Sequence, residues 1–231
     1  MGGLYYYGFD SLYLYLVVPA IIMALWSQIK VKTTFSKYSA YRTDISGADA
    51  ARRVLELNGV HGVKIERVSG NLTDHYDPRT NTIRLSESVC DSYSISAVGV
   101  AAHEAGHAVQ YAKGYFPIKL RSVILPVCNL GSQLSLPLLI IGLIFNFYFL
   151  VKLGVLFFCG AFIFQLITLP VEFNASSRAI TSLKNGSVLL TDNDIKYTKK
   201  VLSAAAMTYI AAALVSLAQL IRLIAITNKR R

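Results

Sequence analysis

The stretch SVILPVCNLGSQLSLPLLIIGLIFNFYFLVKLGVLFFCGAFIFQLITLPV, Ser122 to Val171, decides the fold class, because its fifty residues carry one formal charge, Lys152. A helix needs about 20 apolar residues to cross roughly 30 Å of hydrocarbon, so this stretch is long enough to cross twice. Spans are expected from about Val123 to Phe145 and from about Leu150 to Leu169, with a turn near Asn146 and bends at Pro126 and Pro137 in the first. Outward from this pair, Leu12 to Ile29 is uncharged over eighteen residues and Val201 to Ile221 over twenty-one, ending at Arg222. The first of these has no basic segment before it and no small-residue cleavage site after it, so it reads as a retained anchor and not as a signal peptide. The expectation is a mainly α membrane protein with about four transmembrane helices.

Composition agrees. Of 231 residues, 54% are apolar and 16% charged, and the mean hydropathy is +0.46, against roughly a quarter charged in soluble domains. With 15 Gly and 3 Cys, disorder, collagen-like sequence and a disulfide-stapled secreted scaffold are excluded. Cys90, Cys128 and Cys159 are widely spaced and read as small core residues. The net charge of +10 does not indicate nucleic acid, because the basic residues flank apolar segments and no nucleic-acid motif accompanies them.

The charges lie in two polar segments. Lys30 to Arg121 holds 13 Lys or Arg against 9 Asp or Glu, and Glu172 to Lys200 holds 5 against 3. Basic loops face the cytoplasm, so the amino terminus is expected outside and both polar segments inside. Lys229-Arg230-Arg231 runs against that rule if the last apolar segment crosses completely. The expected organisation is an anchor over 1–29, a cytoplasmic module over 30–121, two spans over 122–171, a cytoplasmic segment over 172–200 and a last membrane helix over 201–231.

Within the first polar segment, Ser46-Gly47-Ala48-Asp49 starts a helix and Asn58-Gly59 stops it. Val63 to Val68 and Thr82 to Leu85 alternate in β-branched character and predict two short strands, with Asp77-Pro78-Arg79-Thr80-Asn81 as a turn. Ile95 to Ala112 is alanine-rich, with Ser94 as N-cap and Lys113-Gly114 as stop, and predicts a largely buried helix.

That helix carries His103-Glu104-Ala105-Gly106-His107. Residues four apart share a helix face, so two imidazoles can grip one Zn2+ while Glu104 sits beside them as a base. Two hydrogen-bonded histidines of a buried helix are the alternative, but a glutamate between them on an apolar helix would bury a charge without purpose. A metzincin is excluded because Gln110 and Lys113 stand where its Gly and third His would be. Tetrahedral zinc needs a third ligand, and Glu172 ranks first, as the first acid after two spans; an interfacial carboxylate paired with Arg178 is its other reading. Asp74, His75 and Asp77 follow. His75 and Tyr76 are candidate donors to the oxyanion of a tetrahedral intermediate, though the same residues fit a surface turn. Tyr209 and Arg178 rank below them in that role.

Ala101-Ala102-His103-Glu104-Ala105-Gly106-His107-Ala108-Val109-Gln110 and Thr168-Leu169-Pro170-Val171-Glu172-Phe173-Asn174-Ala175-Ser176 resemble the YugP-type neutral zinc metallopeptidases of bacterial membranes, and the resemblance extends over nearly the whole chain. It implies a membrane-embedded zinc peptidase, similar in plan to HtpX-type and CAAX prenyl proteases, with a zincin-like module. His103, His107 and Glu172 would then be metal ligands in a gluzincin-like set, with Glu104 as the catalytic base. Asn174 and Ser176 depart from it, standing where these families carry Asp, so a carboxylate that orients a ligand histidine is expected to be missing. The implied partners are a peptide or protein substrate, membrane-associated or not, and the lipid bilayer.

Three other classes compete. A site-2-type intramembrane protease needs an Asp in a later span, and 122 to 171 contains no Asp or Glu. A metal-binding scaffold or chaperone without turnover has no need of Glu104. A transporter needs more intramembrane charge than Lys152 and Arg222 supply.

Overall fold

The computed structural model describes residues 11–186, 188–189 and 191–228; Lys229-Arg230-Arg231 lies outside the described residues. In chain order the elements are a π-helical turn (Tyr13–Val17), α1 (Val18–Ser39), α2 (Gly47–Leu57), β1 (Lys64–Val68), β2 (His75–Asp77), β3 (Thr82–Ser86), α3 (Glu87–Cys90), α4 (Ile95–Ala112), α5 (Phe116–Ile144), α6 (Tyr148–Asn185) and α7 (Asp192–Asn228). The chain is mostly helical, and four stretches, Tyr13–Ser39, Phe116–Ile144, Tyr148–Asn185 and Asp192–Asn228, are long and apolar enough to cross a membrane. The turn expected near Asn146 is present, with Asn146 at φ 52° between α5 and α6. Helix α6 runs through Pro170 and onward to Asn185, so Glu172 lies within a helix instead of beyond one.

The chain divides into two compact units. One comprises Met1–Ser27, Leu120–Leu169 and Thr208–Arg231. In it, α5 and α6 pack through small residues: the Ser135 hydroxyl donates to Gly154 O at 2.8 Å, and a Cβ on Gly154 would stand 2.9 Å from Ser135 O. Close backbone approach of this kind is how helices associate where lipid removes the hydrophobic drive between them. Its outward side chains are large and apolar, among them Leu130, Leu136 and Ile144, each at least 60% exposed.

The other unit comprises Gln28–Lys119 and Pro170–Met207. Its core gathers Val54, Ile83, Leu85, Val98, Val109, Ala179 and Leu183, none with exposed surface. Helix α2 begins as its sequence predicts: Ser46 accepts a bond from the Asp49 backbone N–H at 3.1 Å, and the chain reverses at Gly59, φ 64°. The sheet departs from the expectation of two strands. It has three in the order β1-β3-β2, with β1 parallel and β2 antiparallel to β3. Strand β2, three residues ending at Asp77, was hidden because His75-Tyr76-Asp77 lacks β-branched alternation; pairing of Tyr76 with Ile83 makes it a strand. Strand β3 is therefore central and not an edge.

Candidate metal centre and active site

Helix α4 is capped by the Ser94 hydroxyl, which accepts from the Ala97 N–H, and most of its residues are buried. Its 3.6-residue period sets His103 and His107 on one face, ring centroids 4.7 Å apart. Gly106, between them in the turn, meets α6: a Cβ there would stand 2.6 Å from Ala175 O. Only the missing side chain lets the two helices approach so closely, and this approach brings Glu172 to both imidazoles. Glu172 Oε2 lies 3.2 Å from His103 Nε2 and 3.5 Å from His107 Nε2. One ligand atom from each of the three residues falls within 4.8 Å of the others, so the group can hold a single ion. Two imidazole nitrogens and a carboxylate oxygen are a donor set that suits zinc.

The histidines are held from behind by neutral groups, and the polarity of one chain of bonds can be read from its far end. Arg178 Nε can only donate, and does so to Asn174 Oδ1 at 2.7 Å. The Gln110 amide donates to Asn174 Oδ1 at 3.0 Å and to Val171 O at 2.8 Å. Its Oε1 therefore faces His107 Nδ1 at 3.0 Å and accepts from it, which leaves the His107 Nε2 lone pair towards Glu172 and any shared ion. His103 Nδ1 meets the Ser176 hydroxyl at 3.1 Å. The positions where the related families carry Asp are thus filled by Asn174 and Ser176 as an amide and a hydroxyl, both engaged. Sequence reading passed over Gln110 except as a missing metzincin residue; its offset of three from His107 on a helix was the available signal.

Arg178, the alternative partner of Glu172, bonds Asn174 instead. Burial alone would push the His107 pKa down, but the hydrogen bond its imidazolium donates to Glu172 and the charges of Glu104 and Glu172 outweigh it and hold it above its ordinary value. Glu104 is 8% exposed and, among the described residues, makes no hydrogen bond or ion pair. No fully buried side-chain oxygen among them lacks a partner, so the Glu104 carboxylate retains an opening to solvent.

The remaining candidates are placed elsewhere. His75 is exposed on β2, its Nδ1 2.9 Å from Thr73 O, and it does not join the three-residue group. The Asp74 carboxylate accepts from the Ser86 backbone N–H at 2.7 Å and from its hydroxyl at 3.0 Å, and burial raises its pKa, with Glu104 adding to the rise. Asp77 pairs with Arg84 at 2.8 Å.

Comparison with known proteins gives the family. A family model described as "Putative neutral zinc metallopeptidase" matches residues 13–228. The chain belongs to that family. A relative from Bacillus subtilis (strain 168), named "Putative membrane protease YugP", is 46% identical over 217 residues, 93% of this chain and 96% of the relative. No solved structure matches significantly. Membership in the neutral zinc metallopeptidase family makes zinc the cofactor, and with four apolar helices of spanning length it makes this a multi-pass membrane protein with a protease role.

Proposed function

We propose that this chain is a membrane-embedded zinc peptidase, gluzincin-like in its ligands, in which His103, His107 and Glu172 hold the metal and Glu104 is the catalytic base. The observation that carries the reading is the meeting of one carboxylate oxygen with two imidazole Nε2 atoms at 3.2 and 3.5 Å, beside an unpaired, nearly buried Glu104. Bound zinc would lower the pKa of water towards ~7 and polarise the substrate carbonyl. Glu104 takes the proton from the attacking water and passes it to the leaving amine, and its lack of any fixed partner leaves its lone pairs available for that transfer. Gln110 and Ser176 orient the two imidazoles, and Arg178 anchors Asn174 behind Gln110. His75 enters only as a donor recruited by substrate towards the developing oxyanion, since its exposed ring is otherwise engaged with Thr73 O.

The substrates are peptides or proteins at the membrane, and the module faces the cytoplasm, because the two polar segments carry 18 of the 23 Lys and Arg. The test is zinc per chain by elemental mass spectrometry, with cleavage of a casein or membrane-protein substrate alongside. Wild type is expected to hold near one zinc, Glu172→Ala clearly less, and Glu104→Gln full zinc with turnover lower by about 10²–10⁴-fold. Equal zinc in wild type and Glu172→Ala would remove Glu172 from the ligand set; undiminished turnover in Glu104→Gln would remove the base.

A further inference from the structure

Away from the metal centre but within the same unit, a cavity of about 740 Å³ opens between α1, the end of α6 and the first turns of α7. It lies in the ~300–1,000 Å³ range of small-ligand sites. Lys30, Lys37, Lys184, Lys196, Lys199 and Lys200 line it, against the single carboxylate of Asp192. Helix periodicity gathers them: Lys30 and Lys37 are seven apart on α1, and Lys196, Lys199 and Lys200 share one face of α7. A favourable position at a helix C-terminus accounts for Lys184 alone. No ion pair among the described residues neutralises Lys37, Lys184, Lys196, Lys199 or Lys200. Like charges at this spacing repel, so the arrangement is one that an anion relieves.

The floor is apolar and aromatic. Tyr38, Ile195 and Ala204 are buried beneath the lysines, and Tyr38 stacks on Tyr197 with centroids 5.0 Å apart. Along the sequence the lysines mark the ends of two apolar runs: Lys30 follows uncharged Leu12 to Ile29, and Lys200 precedes uncharged Val201 to Ile221. A basic rim over an apolar floor, at the point where two membrane helices become polar, matches an amphiphile with a phosphate head. We propose that this cavity binds the phosphate-bearing headgroup of an anionic phospholipid. The proposal does not rest on peptidase activity, and it assigns a second, non-catalytic site to the polar unit.

The test uses the full chain in zwitterionic detergent, titrated with short-chain phosphatidylglycerol, short-chain phosphatidylcholine or inorganic pyrophosphate, with Tm as the readout. A saturable rise is expected with phosphatidylglycerol only, weakened by high salt. Lys196→Gln/Lys199→Gln/Lys200→Gln is expected to raise the half-saturation concentration on the order of a hundredfold, with the lipid-free Tm preserved. The Arg triple variant at the same positions restores binding. Lys64→Gln/Lys113→Gln/Lys119→Gln removes equal charge from exposed sites outside the cavity and leaves binding unchanged. If the first triple variant is not recovered folded, Lys37→Gln and Lys196→Gln singly must each weaken the response. An equal rise with pyrophosphate would reassign the site to a soluble phosphate compound and overturn the lipid. Equal loss in the cavity and control variants, or no loss in either, would overturn the site itself.

Discussion

Leu183 in the polar unit has no exposed surface, while Leu136 in the membrane unit is 63% exposed, although both are leucines on long helices of one chain. In the polar unit Ile83, Leu85, Val98 and Leu183 close a core around which the charges stand outward. In the membrane unit Val123, Val127 and Phe145, each over 70% exposed, face outward, and small residues such as Gly154 and Ser135 make the helix contacts. The difference shows that apolarity has two uses here. Water drives it inward in one unit, and lipid solvates it in the other, where packing and hydrogen bonds hold the helices instead.

Truncation breaks the symmetry most sharply. Leu183→Ala is expected to destabilise by about 2–5 kcal/mol, from lost transfer energy plus the cavity left behind, whereas Leu136→Ala stays within about 0.5 kcal/mol. Thermal unfolding of both variants in micelles checks this, and similar Tm losses would mean that the two leucines share one environment. A charge reverses the ranking: Leu136→Asp costs about 2.5–3.5 kcal/mol in a membrane-insertion assay, while Leu72→Asp, on an exposed loop of the polar unit, leaves Tm unchanged within the effect of about 0.5 kcal/mol.

Smaller effects probe the polar unit alone. Gln110→Ala removes the acceptor at His107 Nδ1 and is expected to weaken zinc affinity about 10–100-fold in chelator competition, with the fold retained. Unaltered affinity would reduce Gln110 to a packing residue. The smallest effect concerns Asp77, whose carboxyl is held well below its ordinary pKa by hydrogen bonds from Arg84, the Arg79 N–H and Thr80. A folded pKa depressed below the unfolded value of about 3.9 contributes stability that is present above that value and is lost as pH falls through the folded pKa. The Tm difference between wild type and Asp77→Asn should therefore be constant from neutral pH to about 5 and close below about 4. A difference that widened on acidification would contradict the Asp77–Arg84 pair.

Much of this was legible in the chain. The uncharged runs disclosed four spans because hydrocarbon excludes charge over a fixed thickness, a constraint that acts on consecutive residues. The capped helices at Ser46 and Ser94 were readable because a cap is a local bond. His103, Glu104 and His107 were legible for the same reason, since helix period converts spacing into one face. Strand β2 was not, because a three-residue strand exists only through its partner.

By itself, then, the sequence determined whatever depends on neighbours along the chain: the apolar runs, the helix stops and the paired histidines of α4. Tertiary structure alone decided what depends on separate segments meeting. It set Glu172 against histidines 65 and 69 positions earlier in the chain, because Gly106 allows Ala175 within reach. It also joined Arg178, Asn174 and Gln110 behind His107, and gathered lysines from three helices around one cavity. Such contacts carry no local signature, since hydrogen bonding and charge act through space and the sequence records only order.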